Sequence, residues 1–507
     1  MEKIQTILLM ILLCLIPLVI RLVVLPFAGP FLNDDLISTG YMADSYTYYK
    51  WLFLIAISLV FLTLFLYRLY ILKEPVKKSY ISIPIFLLCS WLVLSLFTAE
   101  YKNVALKGFY DRHEGTLTYL CFLAIVFCIA NMKSPSEKIF QYAAICFSFP
   151  ILLNSVVVLC YFWGLNVAKF KFIEYLIVPE GIKAKVKLDN IFFNVNYSSG
   201  ISCAACYFYF AIAMMTKNTK AKTAAIAMLF IVFASLLCSL STSGFLTFVV
   251  FFPFFFLVCF RMLSKKSTTI LALVCLVFFA IIGVFLDSTQ YKHGIDPSFS
   301  TEETSTIYKE SLGGILNLAK NLVPKKTQTR QQEKKFKENA LDFPKEEELE
   351  EFSFPPYGYG IGTGRLYLWK LTLEMIRKRP LFGYGMDTFA FYCPHYRKDK
   401  ICNLNTTDSI LITKPHNFYL AVAFGAGIPA MIFLIALLGI HFTKSFFAYK
   451  NCANPSLFMA HTAIFFFLIS FSFQWLFNDS VLPTSIFFWC FLGLGVQIVR
   501  QMDFYHE

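Results

Sequence analysis

Long apolar runs recur along this chain, separated by short polar turns, and they constrain the fold more than any other feature. A run of about 18 or more apolar residues is long enough to cross a bilayer as a helix. Lipid offers no partner to backbone N–H and C=O groups, so such runs must satisfy them internally. About twelve runs qualify, from roughly 6–26, 51–72, 80–98, 116–132, 139–163, 197–215, 223–240, 245–263 and 268–286 to 417–440, 457–477 and 481–499. Composition agrees: of 507 residues, 57% are hydrophobic and only 15% charged, well below the quarter expected of a soluble domain. The first run lacks a small-residue cleavage site and many further runs follow it, so it reads as a first span and not a signal peptide.

The formal net charge of +13 reflects membrane orientation better than nucleic-acid binding. Arg68, Lys73, Lys77 and Lys78 follow the second run, and Lys133 and Lys138 the fourth. Lys217, Lys220 and Lys222 follow the sixth, Arg261, Lys265 and Lys266 the eighth, and Lys444 and Lys450 the tenth. Basic loops mark the cytoplasmic side, so both termini are expected there. Lys183, Lys185 and Lys187 dissent, falling in a loop that this topology places outside.

The expected architecture is all-α: a polytopic bundle with spans 1–9 in residues 1–286, a large extracytoplasmic loop over 287–416 and spans 10–12 in 417–507. Most of the 15 cysteines lie inside apolar runs, as small core residues do. Cys393 and Cys402 share the large loop, where a disulfide and two separate thiols are equally compatible with the sequence. No cysteine or histidine spacing resembles a zinc site.

Within the loop, Lys325 to Glu351 is charge-dense and poor in aromatics, which suits a solvated insert. After Pro355 the pattern changes. Leu366, Trp369, Leu373 and Ile376 fall three and four apart, predicting an amphipathic helix that Pro380 ends. Arg365 opens it after Gly362-Thr363-Gly364. A cation in the first turn opposes the helix dipole unless an anion compensates, and free N–H groups beside a guanidinium make a phosphate site. An exposed arginine stacking on Trp369 is the plainer alternative.

His416 stands before the tenth span, with Thr413 as expected cap and Pro415 in the first turn. The positive end of a helix disfavours imidazolium, so a neutral, base-like ring is expected there. An interfacial polar residue beside Asn417 and Tyr419 would look the same. Two more outward loops carry polar groups: "GFYDRHEGTLTYL", with Arg112 between Asp111 and Glu114, and "DNIFFNVNYSSG", with Asn194 and Asn196.

The order of these features is distinctive. "GRLYLWKLTLEMIRKRPLFGYGMDTFAFY" holds Arg-x-x-x-Trp and Pro-Leu-Phe-Gly-x-Gly, and "PHNFYLAVAFGAGIP" holds His-Asn-x-x-Leu with later glycines. The chain thereby resembles the O-antigen ligase and polymerase family of membrane glycan transferases, most specifically over 362–429, with "RHEGTLTYL" and "NVNYSSG" similar to weaker family motifs. The resemblance implies a glycosyltransferase with no metal, cofactor or nucleotide, acting at the outer face of the bacterial cytoplasmic membrane. A glycan would pass from an undecaprenyl diphosphate carrier to a hydroxyl of a glycolipid or other surface acceptor. It implies that Arg365 binds the diphosphate and His416 contacts or deprotonates the acceptor, with Arg112 a second cation and Trp369, Lys414, Asn417 and Asn196 further substrate contacts. Family members often carry a basic residue after the serine of a short hydroxyl motif; in "STSGFL" Gly244 stands there, so that cation is absent or comes from Lys183 to Lys187 or Lys414. A polymerase joining lipid-linked repeat units shares these motifs. A flippase of lipid-linked sugars would instead bury ionisable groups near the bilayer midplane, where His461 is the main candidate.

Overall fold

The computed structural model describes residues 1–27, 41–77, 79–133, 136–182, 184, 186–239, 241–262, 273, 277, 364–394, 412–449 and 454–504. The charged insert, Cys402, Lys183, Lys185, Gly362, Thr363 and the expected ninth span, 268–286 apart from residues 273 and 277, lie outside the described residues.

The architecture is a polytopic helical bundle. In chain order the helices are α1 (Glu2–Cys14), α2 (Tyr48–Tyr70), α3 (Ser82–Thr98), α4 (Lys102–Lys107), α5 (Thr116–Ala130), α6 (Ser136–Phe162), α7 (Lys171–Ile177) and α8 (Val195–Met215). They continue with α9 (Thr219–Cys238), α10 (Thr242–Met262), α11 (Arg365–Lys378), α12 (Phe389–Tyr392), α13 (Phe418–Ala448), α14 (Pro455–Gln474) and α15 (Leu482–Phe504). Among the described residues seven helices are long and apolar enough to cross a membrane: α2, α6, α8, α9, α13, α14 and α15. The shorter apolar helices α3 and α5 pack among them. Asparagine starts several of them: Asn194, Asn218, Asn417 and Asn454 each accept a first-turn N–H through the side chain, satisfying donors that lipid could not.

The first span differs from expectation. α1 ends at Cys14, a short 3-10 turn at Ile16–Leu18 follows, and Val23–Pro26 pairs antiparallel with Tyr41–Asp44. Pro17 in the 3-10 turn cannot donate an N–H to a continuing helix, and the chain leaves the helical path early.

α8 and α15 form the centre and are buried almost all round. Small residues make this feasible: Gly200, Ser202, Ala204 and Ala205 are buried on α8, where α9 and α14 pack closely. Phenylalanine fills the space between helices. The Phe147 ring meets Phe208, Phe467, Phe487 and Phe491 with centroids 5.1–5.5 Å apart.

The alternation expected from the charge pattern gathers the loops at two ends. At one end Arg68 and Lys133 bind Glu74 at 2.7 and 2.6 Å. At the other, the starts of α5, α8, α10 and α13 meet the α14–α15 turn.

α13 is broken near that second end. Gly427 has φ 87° and ψ 166°, and Pro429 follows, so backbone groups around the break are freed from the helical ladder. The loop 380–385 takes them up: Ile428 donates to the Pro380 carbonyl at 2.8 Å, Tyr384 to Phe424 at 2.9 Å and Gly385 to Gly425 at 2.7 Å. Ser95 Oγ donates to the Phe382 and Gly425 carbonyls, and Trp91 Nε1 to those of Leu381 and Ala426. A Cβ at Gly427 would stand 1.9 Å from the Leu381 carbonyl oxygen, so only glycine permits this backbone seam. The seam fixes α11 relative to the start of α13.

α11 spans the expected residues, but its buried face is rotated. Tyr367, Leu368, Leu371, Met375 and Ile376 are buried in one cluster with Ala423 and Phe424; of the expected stripe Ile376 is thus buried, whereas Leu366 and Leu373 are exposed. Periodicity located a helix; docking on α13 chose which stripe faces inward.

Candidate functional site

The outward-expected loops converge on one polar cluster. His416 has φ 52°, a left-handed conformation uncommon for a residue with a side chain. It is imposed by its neighbours: Asn417 Nδ2 donates to the Leu476 carbonyl at 3.0 Å, and Phe418 N donates to the Trp475 and Asn478 carbonyls. This places the His416 ring against Asp479, with Nδ1 2.8 Å from Oδ2. The ring is half exposed while the carboxylate is buried. With Nδ1–H donated to Asp479, Nε2 faces outward as an acceptor. Burial by itself would raise the Asp479 carboxyl, but His416, Lys414 and Arg112 together hold it below its ordinary value.

Arg365 opens α11 after Gly364, whose φ is 77°. Its Nε is buried and has no partner among the described residues, and the same is true of Trp369 Nε1 four positions on and of Asp479 Oδ1. Burial lowers the Arg365 guanidinium from its ordinary value, and the Asp479 and Tyr197 charges oppose that shift. A buried donor without an acceptor costs stability. Two such donors on consecutive turns of one helix are what an anion would satisfy.

The remaining expected contacts are committed to the protein. The Arg112 guanidinium donates to Thr413 Oγ1 at 2.9 Å and to Asp387 Oδ1 at 3.4 Å, pairs with Asp111 at 3.5 Å and lies over the Phe109 ring. Its pKa is raised: burial lowers it, and the surrounding carboxylates outweigh that. Lys414 Nζ donates to Glu114 Oε2 at 2.9 Å and to the Ser480 carbonyl at 2.8 Å, while Ser480 Oγ donates to Glu114 Oε1. Thr413 therefore does not cap α13 as the sequence implied; Asn417 does, with its oxygen accepting from Leu420 N at 3.0 Å. Asn196 accepts from Ser241 Oγ at 2.9 Å, in a network continuing through Ser243 to Gln474 and Asn478. Arg112, Lys414, Asn417 and Asn196 thus hold the loops that carry His416 and Asp479. The cavity between Glu114, Asp387, Lys414 and Asp479 is about 20 Å³, room for roughly one water.

Gly244 has a structural reason. A Cβ there would meet the Ser199 side chain and backbone at 2.6–2.8 Å, so the close approach of α8 and α10 leaves no room for a basic side chain. Lys414, the expected substitute, is already paired.

Sequence reasoning missed Asp479, Asp387 and Tyr197. Asp479 carried a readable signal: an acid in the tight turn "FNDSV" between two apolar runs is costly unless it has a role. Asp387, also with positive φ, had no comparable signal, and Tyr197 is buried beside the cluster, within electrostatic reach of Asp479 and Arg112. No group of three or more His, Cys, Asp or Glu side chains among the described residues is arranged to hold a metal.

Residues 224–435 match the family model described as O-antigen ligase. Over that stretch, under half of the chain, the protein is similar to O-antigen ligases. The match spans most of α9, all of α10, α11 and α12 and the first part of α13, and so contains Arg365, Trp369, Lys414, His416 and Asn417. Arg112, Glu114, Asn196 and Asp479, which complete the cluster, lie outside the matched stretch. Glycan transfer of the O-antigen ligase and polymerase type is the activity that the match supports. No curated protein matches the chain.

Proposed function

We propose that this O-antigen ligase-like chain transfers a glycan from an undecaprenyl diphosphate carrier to a hydroxyl of a surface acceptor, at the outer face of the cytoplasmic membrane. The observation that carries the reading is the His416–Asp479 pair beside Arg365 and Trp369, whose buried donors have no acceptor among the described residues. His416 Nε2 takes the proton of the acceptor hydroxyl, and the acceptor oxygen forms a bond to the sugar C1. The C1–O bond to phosphate breaks, and the diphosphate leaves with the electron pair toward Arg365 and Trp369 Nε1. Fixed donors aimed at developing charge contribute several kcal/mol in catalysis of this kind. Asp479 keeps the imidazole in the tautomer that can accept.

An apolar groove of about 500 Å³ supports a lipid-linked donor. It is lined by Phe251, Tyr419, Leu420, Leu438, Phe442 and Phe473 and runs along α13 and α14 from Asn417, next to His416. A prenyl tail in the groove would bring its diphosphate to the polar cluster. The basic cluster of Arg68 and Lys133 at the opposite end supports cytoplasmic termini.

The test is transfer by full-length protein reconstituted with lipid-diphosphate-linked glycan and acceptor. Arg365→Ala and His416→Ala at normal membrane levels should each reduce transfer to a low residual rate; if both retain full transfer, the site assignment fails. The lipid-linked pool of a deletion strain separates the two branches of the family: full-length polymers stranded on the carrier mark a ligase, single repeat units a polymerase.

A further inference from the structure

The geometry points to a second, non-catalytic surface: α7 and its flanks form a lipid-interface clamp for anionic headgroups, at the same end of the bundle as the candidate site. α7 follows α6, the spanning helix that ends at Phe162. It is pinned beside the first loop by Leu22 N donating to the Ile177 carbonyl at 2.7 Å. Asn166 closes the approach, accepting from Ala168 N and Leu188 N and donating to the Val186 carbonyl. Its inner face has its own small core of Leu22, Ala168, Ile177, Val178 and Leu188.

The outer face is rich in exposed apolar side chains, with Lys169, Lys171 and Glu174 exposed among them. Trp163, Leu165, Phe170, Phe172, Tyr175 and Leu176 are exposed, with Phe172 at 72% and Trp163 at 64%. These residues follow the end of a spanning helix and do not belong to one, so neighbouring bundle helices do not explain them. Exposed aromatic residues gathered in one short segment of this kind mark an interaction site. Its chemistry selects the occupant. Tryptophan and tyrosine favour the level of the headgroups, and Lys169 and Lys171 alternate with Phe170 and Phe172 in the order Lys-Phe-Lys-Phe, all exposed. Lys187 is exposed as well and lies over the Tyr161 ring near the end of α6. Rings in the acyl boundary and ammonium groups among phosphates describe an interfacial element on an anionic leaflet. All three lysines lie in the loop that breaks the basic-loop pattern, so a feature that weakens the orientation signal gains a physical use.

The test is amide exchange of the full-length protein in nanodiscs of phosphatidylcholine, with and without phosphatidylglycerol. Exchange over 164–180 should slow roughly tenfold when phosphatidylglycerol is added, and the slowing should shrink at high salt. Lys169→Glu with Lys171→Glu should remove that increment. Phe172→Asp with Tyr175→Asp should speed exchange in both lipids while α8 stays protected, which separates lost docking from lost folding. Equal exchange with and without phosphatidylglycerol overturns the proposal, as does an increment that survives the lysine reversal. Protection that appears only when membrane proteins are added assigns the surface to a protein partner and overturns it equally.

Discussion

Replacing Asp479 by asparagine separates a catalytic arrangement from a structural one. The carboxylate accepts from His416 Nδ1 at 2.8 Å and is itself buried. A hydrogen bond to a charged group contributes about 1.5–3 kcal/mol. The His416 ring is half exposed, so solvent screening selects the low end, about 1.5 kcal/mol. At about 1.4 kcal/mol per decade, that is roughly a tenfold fall in transfer rate, and more if the asparagine amide presents its N–H₂ and turns the ring into the wrong tautomer. The loss should appear in kcat, since Asp479 touches neither the apolar groove nor Arg365 directly. Thermal stability should change much less, because removing a desolvated charge offsets part of the lost bond. The assay is reconstituted transfer at saturating donor, alongside a melting curve of the same preparation. His416→Ala supplies the second half of a cycle: the double variant should be no slower than His416→Ala alone. A rate within twofold of the unmodified protein, or additive losses in the double variant, would refute the proposed pair.

Three further outcomes follow from the geometry. Gly427→Ala should prevent a stable fold, visible as loss of a monodisperse detergent-extracted species, because its Cβ would overlap the Leu381 carbonyl and its φ of 87° is left-handed. Gly244→Ala should lower stability by about 1–3 kcal/mol through overpacking against Ser199, measured by thermal melting, and Gly244→Arg should not restore a phosphate-binding cation. The third concerns pH. Burial raises the Glu114 carboxyl, with Lys414 and Ser480 only partly opposing, so acidification neutralises it above the usual carboxylate range and breaks its pair with Lys414. Asp479 is shifted the other way: what its charge contributes is present above its unfolded value and is lost only as pH falls through its depressed one. Ionising Glu114 in the fold therefore costs stability: the melting temperature should fall as pH rises through its raised value, and Glu114→Gln should remove that dependence.

What the sequence determined was whatever is written in local pattern. Runs such as 139–163 and 197–215 must be spanning helices because lipid leaves backbone groups no other partner, and α6 and α8 lie there within a few residues. The order of Arg365, Trp369 and His416 was legible for the same reason, as short motifs at fixed spacing. Tertiary structure alone decided which side chains are available. Lys414 looks like a free cation in sequence and Arg112 is flanked by its own loop's acids, yet Glu114 and Asp387, distant along the chain, hold them. Asp479 and His416 are 63 positions apart, and no periodicity links them; a left-handed residue and a broken helix do. Gly244 read as a missing cation until the contact with Ser199 showed the space to be filled. Patterns record what each segment needs from its solvent, whereas pairing depends on which segments the packed bundle brings together.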